Sequence, residues 1–266
     1  MTPAARQAAD LLWRQRCAGT VIDELPEALR PADLAAGHAI QAALPVVSGQ
    51  AVVGWKIAAT SAAGQAHIHV SGPLPGRILS AFVHAVGEPV SLAGNRMRVV
   101  EPEFAFRLSA DLPPLAAPRS QAEVMAAVAS LHPAFEVPDS RFADFTLAGA
   151  AQLLADDACC GEFVFGAAAP EGWRDVDLSA APVRATVFDA TGGERYQRAG
   201  DGSAALGDPR AALTWLANEL SALGQKLAAG QFVSTGTCMV PLRIEPGERV
   251  VADYGRFGAI ALQLTL

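Results

Sequence analysis

Glu101 and Glu103 stand two residues apart in the apolar run VVEPEFAFRL, and a third glutamate, Glu136, stands in PAFEVPDSR. A β-strand sends alternate side chains to opposite faces, so Glu101 and Glu103 point the same way, roughly 7 Å apart along the strand. Val100, Pro102, Phe104, Phe106 and Leu108 fill the other face. Like charges beside an apolar surface repel and are poorly solvated, so something positive belongs between them. Three carboxylates without a nearby histidine or cysteine pair make a hard, all-oxygen ligand set, which suits Mg²⁺ or Mn²⁺ better than zinc or copper. On an octahedral ion they leave three positions for a bidentate substrate and a water. Any one strand glutamate reads equally as a solvated charge on an outer face. The pair together with Glu136 points to metal.

Lys56 stands in AVVGWKIAATS, a strand-like run that gives it Gly54 and Ala58 as small neighbours on one face. With 18 arginines and two lysines, arginine is the default cation of this chain, so a lysine in an apolar strand needs its own reason. Arginine keeps its proton, whereas a desolvated lysine can release one near neutrality and shuttle it. The alternative is a lysine snorkelling from a strand edge. The other lysine, Lys226, falls on an amphipathic helix and reads as solvated.

The elements that must position these residues follow from periodicity and from Gly and Pro. Residues 1–48 form an N-terminal helical segment: Thr2-Pro3 opens one helix, Gly19 stops it, and Pro31 opens a second through Ala43. Residues 49–266 read as one β-rich catalytic core of short apolar runs, from VVGWKI to AIALQLTL. Hairpins turn at Gly192-Gly193 and near Gly255. A short helix spans Gln121–Ser130; a long one is capped by Asp208, starts at Pro209, buries Leu213, Leu216, Leu220, Leu223 and Leu227, and ends at Gly230. The proline-rich stretch Asp111–Ser120 is an excursion within the core. Strands and helices do not alternate regularly, so the class is α+β with a mixed, rolled β-sheet.

At 51% hydrophobic over 266 residues, the chain can bury one large core. A net charge of −7 without a basic block argues against a nucleic-acid binder. No apolar stretch is long enough to span a bilayer, and the charged N-terminus lacks the core of a signal peptide. Cys17, Cys159, Cys160 and Cys238 show no metal-binding spacing and read as buried free thiols, which places the protein in the cytoplasm. P-loop, nucleophile-elbow and zincin motifs are absent. His67 and His69 alternate as strand neighbours do, but no third soft ligand accompanies them. Asp156-Asp157 reads equally as a second acidic cluster near the metal and as the polar start of a turn.

Taken together, these segments resemble the 2-keto-4-pentenoate hydratase and 2-oxo-3-hexenedioate (4-oxalocrotonate) decarboxylase family, within the fumarylacetoacetate hydrolase superfamily. LAAGHAIQAAL is similar to its N-terminal helix and VVGWKIAATSAAGQ to its lysine signature. VEPEFAFRL and PAFEVPDSR are similar to its metal-ligand segments, LLADDACCGEFVFG to its alanine-aspartate-asparagine turn, and the stretch from ALGDPRAAL to FVSTGT to its long helix and following strand. The resemblance implies a rolled mixed sheet with flanking helices and Mg²⁺ or Mn²⁺ at Glu101, Glu103 and Glu136. It implies Lys56 as acid/base, Thr60, Ser61, Gln65 and Asp156 around the substrate, and a homo-oligomer or a complex with a related hydratase or decarboxylase. The expected activity is a lyase on a small 2-oxo acid in aromatic meta-cleavage catabolism, as hydratase or decarboxylase.

Two departures bear on the reaction. Leu74 stands where the family commonly has an aspartate, and Asp157 where it has an asparagine, so the carboxylate that activates water is lost at one place and offered at another. Asp157 is therefore a candidate catalytic residue. The β-diketone hydrolases of the superfamily carry a histidine–glutamate pair in a short N-terminal lid, and none stands between Val46 and Gly64. A third reading is a non-catalytic partner subunit of an active relative.

Overall fold

Short apolar runs broken by Gly, Pro and Asp fold as strands in the computed structural model, which describes residues 1–266. In chain order they are β1 (Val52–Ala58), β2 (Leu74–Leu79), β3 (Val83–His84), β4 (Val90–Ser91), β5 (Val99–Leu108), β6 (Val128–Val137), β7 (Glu162–Phe165), β8 (Pro182–Phe188), β9 (Glu194–Asp201), β10 (Phe232–Thr237), β11 (Leu242–Arg243), β12 (Arg249–Asp253) and β13 (Ala259–Thr265). The helices are α1 (Pro3–Ala18), α2 (Leu34–Gln41), α3 (Leu44–Ser48), α4 (Ala62–His67), α5 (Gln121–Ala126), α6 (Ala150–Ala155) and α7 (Pro209–Ala222). The class is α+β, as the sequence implied. No helix is long and apolar enough to cross a membrane.

The large sheet has the order β2-β1-β10-β5-β6-β7-β3, with β11 added to β5; β1/β10 and β3/β7 are parallel and the other pairs antiparallel. It is curled. Phe165 of β7 and Phe232 of β10 stack with ring centroids 4.2 Å apart, although β5 and β6 lie between them in the sheet. Three strand spacings on a flat sheet would separate them by about 14 Å. The small, fully buried Ala105 and Ala134 lie on the same face in the intervening strands and leave the hollow in which the rings meet. Ile78 of β2, at one end of the sheet, and Phe163 of β7, next to the other end, share an apolar cluster with Cys160.

The convex face carries Val100, Phe104, Phe106, Phe135 and Val233 into a core of 41 buried residues, shared with α7 and with a second sheet of order β4-β13-β12-β8-β9. At about 25 cal/mol per Å² of apolar surface removed from water, this core is the main source of stability. The N-terminal helices make a separate cluster of nine buried residues with Phe142 and Ala155. Where α2 crosses α6, Gly37 permits the approach; a Cβ there would stand 2.5 Å from the Ala151 carbonyl.

Several boundaries differ from the sequence expectation. The second helix starts at Asp33, whose carboxylate accepts from Ala36 N at 2.8 Å, and not at Pro31. α5 stops at Ala126 because Val128–Ser130 join β6. α7 stops at Ala222, where Gly224 takes φ +68°. Leu227 is still buried, through a bridge to Leu112, so Lys226 lies beyond the helix in an exposed ion pair with Asp111 at 2.8 Å. His67 ends α4 with its ring edge-on to Phe145, and His69 has φ +54°, so the two are not strand neighbours. All four cysteines are free, but Cys17 is exposed.

Candidate active site

Glu101 and Glu136 face each other as register partners on β5 and β6, and Glu103 lies one pleat along on the same concave face. One carboxylate oxygen from each lies within 4.8 Å of the others. Glu103 is 1% exposed and Glu136 0%, whereas Glu101 is partly exposed and marks the open side. Glu103 is fixed by the Ser234 hydroxyl, which donates to Oε2 at 2.5 Å, and by the Gly236 N–H at 2.9 Å. Gly236 is required there: its φ is +101°, and a Cβ would stand 2.2 Å from Thr60 Oγ1. Glu136 Oε1 accepts from Gly161 N at 3.3 Å.

Burial drives the electrostatics. It pushes Glu103 up to about 7, helped by the Glu101 charge and opposed by the donors Ser234 and Gly236. Burial raises Glu101 and Glu136 too, against the pull of Lys56. Carboxylates this close are stable only with positive charge among them: protons, an ammonium or a divalent cation. Glu103 Oε1 and Glu136 Oε2 are buried without a hydrogen-bond partner, and unpaired buried carboxylate oxygens are costly. The all-oxygen donor set fits a hard divalent cation such as Mg²⁺ or Mn²⁺.

Lys56 reaches this group across the hollow of the sheet. Its Nζ lies 3.2 Å from Glu136 Oε1 and donates to the Ala158 carbonyl at 3.0 Å; the side chain is 3% exposed. Burial alone would lower its pKa, but Glu136 and then Glu101 outweigh it and hold the ammonium protonated. A cation on the same carboxylates would cancel that attraction and ease proton release. Gly76, the register partner of Lys56 on β2, leaves room for its stem; a Cβ there would stand 2.9 Å from Lys56 Cγ and Cδ.

The other residues singled out in the sequence divide. Thr60 is buried against Gly236 and so adjoins the Glu103 side of the site. Ser61 caps α4, accepting from Gly64 N at 3.0 Å, and Gln65 Nε2 donates to the Ala59 carbonyl at 3.1 Å; both shape the turn that leaves β1. Asp156 Oδ2 accepts from Ser140 Oγ and Arg141 N, each at 2.7 Å, so that oxygen is committed to the segment that follows β6. Asp157 Oδ1 accepts from Arg77 N at 2.7 Å, and burial pushes its pKa up to about 7 against Arg77 and Arg16. Leu74 is buried with Leu153, Leu154, Ala158 and Cys159.

Ser234, Gly236, Gly161 and the Ala158 carbonyl escaped the sequence reading. Only FVSTGT carried a signal for two of them: serine and glycine alternate onto one face of a largely buried strand.

The chain is 32% identical over 257 residues to a 2-keto-4-pentenoate hydratase of Burkholderia vietnamiensis, spanning 96% of this chain and 95% of that one. It is 35% identical over 242 residues to a 2-keto-4-pentenoate hydratase of Paraburkholderia phymatum, spanning 90% and 89%. Its fold superposes on the 4-oxalocrotonate decarboxylase from Pseudomonas putida G7, complexed with magnesium and adipate, with a TM-score of 0.83 at 24% identity over 98% and 97% of the two chains. No family model matches the chain. Identity above 30% across nearly the whole length of two hydratases nonetheless decides the relationship: this chain belongs to the 2-keto-4-pentenoate hydratase family.

Proposed function

We propose that the protein is a divalent-metal-dependent lyase acting on a small 2-oxo or 2-hydroxy-dienoic acid, a hydratase of the 2-keto-4-pentenoate type in aromatic meta-cleavage catabolism. The observation that carries this reading is the convergence of Glu101, Glu103 and Glu136 within 4.8 Å, with Lys56 Nζ 3.2 Å from Glu136. The hydratase names of the relatives support the reaction class, and the magnesium bound by the decarboxylase of the same fold supports the cofactor.

When bound by the three glutamates, Mg²⁺ or Mn²⁺ supplies a Lewis acid for the carboxylate and keto oxygens of a 2-oxo acid and offsets negative charge that develops on them. Lys56 moves the protons: it delivers one at C5 as the enol O–H is lost, which yields an α,β-unsaturated 2-oxo acid. Water then adds at C4 while a proton is delivered at C3. Ser234 and Gly236 orient Glu103 and favour its ionised form. Thr60, with Ser61 and Gln65 at the end of β1, borders the substrate.

One feature favours decarboxylation as a second reading. Leu74 is packed in an apolar cluster and carries no carboxylate; Asp157 has Oδ1 engaged by Arg77 N and only a buried Oδ2 left, on a group that burial favours protonated, so carboxylate activation of water is weakened. Departure of CO₂ needs an electron sink and a proton but no positioned water. In this reading the protein works in the cytoplasm as a homo-oligomer, with or without a related subunit.

The test is turnover by the purified chain with Mg²⁺. Loss of dienol absorbance from 2-hydroxypenta-2,4-dienoate with formation of the hydrated product identifies the hydratase. CO₂ released from 2-oxo-3-hexenedioate identifies the decarboxylase. Turnover of neither sinks both and leaves the partner-subunit role.

A further inference from the structure

Asp157, Ala158 and Cys159 follow one another at φ +57°, +53° and +57°. L-residues other than glycine avoid this left-handed region, and a run of three without glycine persists only where its surroundings hold it. Here they do. Asp157 Oδ1 accepts from Arg77 N at 2.7 Å, Cys160 N donates back to the Asp157 carbonyl at 3.0 Å, and Asp139 N donates to the Cys159 carbonyl at 3.1 Å. Arg16 of α1 donates to the Cys160 carbonyl at 2.7 Å. The turn lies directly against Gly76, where a Cβ would stand 2.6 Å from the Asp157 carbonyl oxygen.

What this turn delivers is the Ala158 carbonyl, 3.0 Å from Lys56 Nζ. The ammonium donates a hydrogen bond to Ala158 O at 3.0 Å and forms an ion pair with Glu136 Oε1 at 3.2 Å. The hydrogen bond to the turn is thus what sets where Nζ sits relative to the glutamates. A group that gives a proton at one carbon and takes one at another must keep its position between the two steps.

We propose that the left-handed turn Asp157–Cys159 is a positioning device for Lys56, with Asp157 its anchor: through the Ala158 carbonyl it holds Nζ in place beside the three glutamates. The proposal rests on the reading of Lys56 as the proton carrier. It assigns Asp157 its backbone conformation and its acceptor oxygen as the working features, and not its charge. Aspartate and asparagine both tolerate positive φ and both offer that oxygen, whereas a β-branched residue does neither.

The experiment compares Asp157→Asn and Asp157→Val, with the valine change also made in a Lys56→Ala background, using 2-hydroxypenta-2,4-dienoate and Mg²⁺. Asp157→Val should lose about tenfold or more in kcat, with KM and calorimetric Mg²⁺ affinity unchanged, since small misplacement of a reacting group is costly. Asp157→Asn should restore kcat, and Asp157→Val should add no loss once Lys56 is gone. If the valine variant does not fold, Asp157→Gly, which accepts positive φ but lacks the anchoring oxygen, should give the same signature. Because the chain has only two lysines, ¹⁵N-lysine labelling supplies a readout independent of turnover: a slowly exchanging Lys56 ammonium signal in wild type and Asp157→Asn, shifted or lost in Asp157→Val. Equal damage from asparagine and valine, an additive loss without Lys56, or an unmoved Lys56 signal would each overturn the proposal. Normal turnover by Lys56→Ala would instead remove the reading on which it rests, and the lysine signal would still decide whether the turn holds Nζ.

Discussion

At Glu103 two influences oppose each other. Burial and the Glu101 charge favour its protonated form, while the Ser234 hydroxyl and the Gly236 N–H favour the carboxylate that a cation needs. Ser234→Ala should therefore weaken Mg²⁺ binding by about tenfold, the scale of one hydrogen bond to a charged group, without unfolding the protein. Calorimetric titration gives the answer, and unchanged affinity would mean Ser234 does not help to hold the ligand. Lys56→Arg keeps the charge but not the ability to release a proton; it should bind Mg²⁺ yet lose roughly 10²-fold or more in kcat. Near-normal turnover would reduce Lys56 to electrostatic support. Asp157 yields a prediction about pH. Its folded pKa of about 7 lies above the ordinary 3.8, so the folded state keeps a proton that the unfolded chain has already released. Stability from this group is full below about 4 and is lost as pH rises toward 7. Asp157→Asn removes the charge, so its melting temperature should exceed that of wild type at pH 8, with the difference closing toward pH 4. An equal difference at both pH values would contradict this account. Strand alternation was enough to put Glu101 and Glu103 on one face in the sequence, because that depends on neighbouring residues alone. The contacts made by Ser234 and by the Ala158 carbonyl were not legible, because their partners, Glu103 and Lys56, are remote in the chain.

The elements were legible where a local rule governs them. Thr2-Pro3, Gly19, Asp208-Pro209 and the Gly192-Gly193 turn all mark boundaries that hold in the fold. The rolled sheet also matches what the family resemblance implied. Boundaries set by tertiary contact were not legible: Leu227 continues the leucine stripe of α7 but is buried by a bridge to Leu112, outside the helix. β2 was missed because LPGRIL carries proline and glycine, which normally weaken a strand. Both have a use here, since Gly76 makes room for Lys56 and the Pro75 carbonyl accepts from Gln41 at 2.6 Å. A similar demand falls on β10. Gly236→Ala meets both a φ of +101° and Thr60 Oγ1 at 2.2 Å, so β10 must shift and withdraw its N–H from Glu103. A lower melting temperature together with reduced Mg²⁺ affinity is expected; a variant matching wild type in both would show that the strand end yields freely.

At the scale of the whole molecule, curling turns a sheet into a container. Lys56 and Glu136 meet although their strands are separated by β10 and β5, and the Phe163, Phe165 and Phe232 rings stack on the same concave face. The low-dielectric surroundings strengthen every charge interaction within the site. The parallel pairing of β1 with β10 has a further consequence, in time and not in space. β1 is near the start of the chain and β10 near its end, yet β10 is the strand that joins β1 to β5. During synthesis, Lys56 and all three glutamates leave the ribosome well before Ser234 and Gly236. Until then β5 lacks the neighbour that fixes Glu103, and β1 has no route into the sheet. Pairings this remote in sequence also form slowly, because loop closure must come first. A chain ending before residue 231 should show no measurable Mg²⁺ affinity although it holds all three glutamates, whereas the 266-residue chain should bind. Tight metal binding by the shortened chain would contradict this. The order of strands in the sheet thus makes assembly of the glutamate cluster wait for a strand made long after the glutamates themselves.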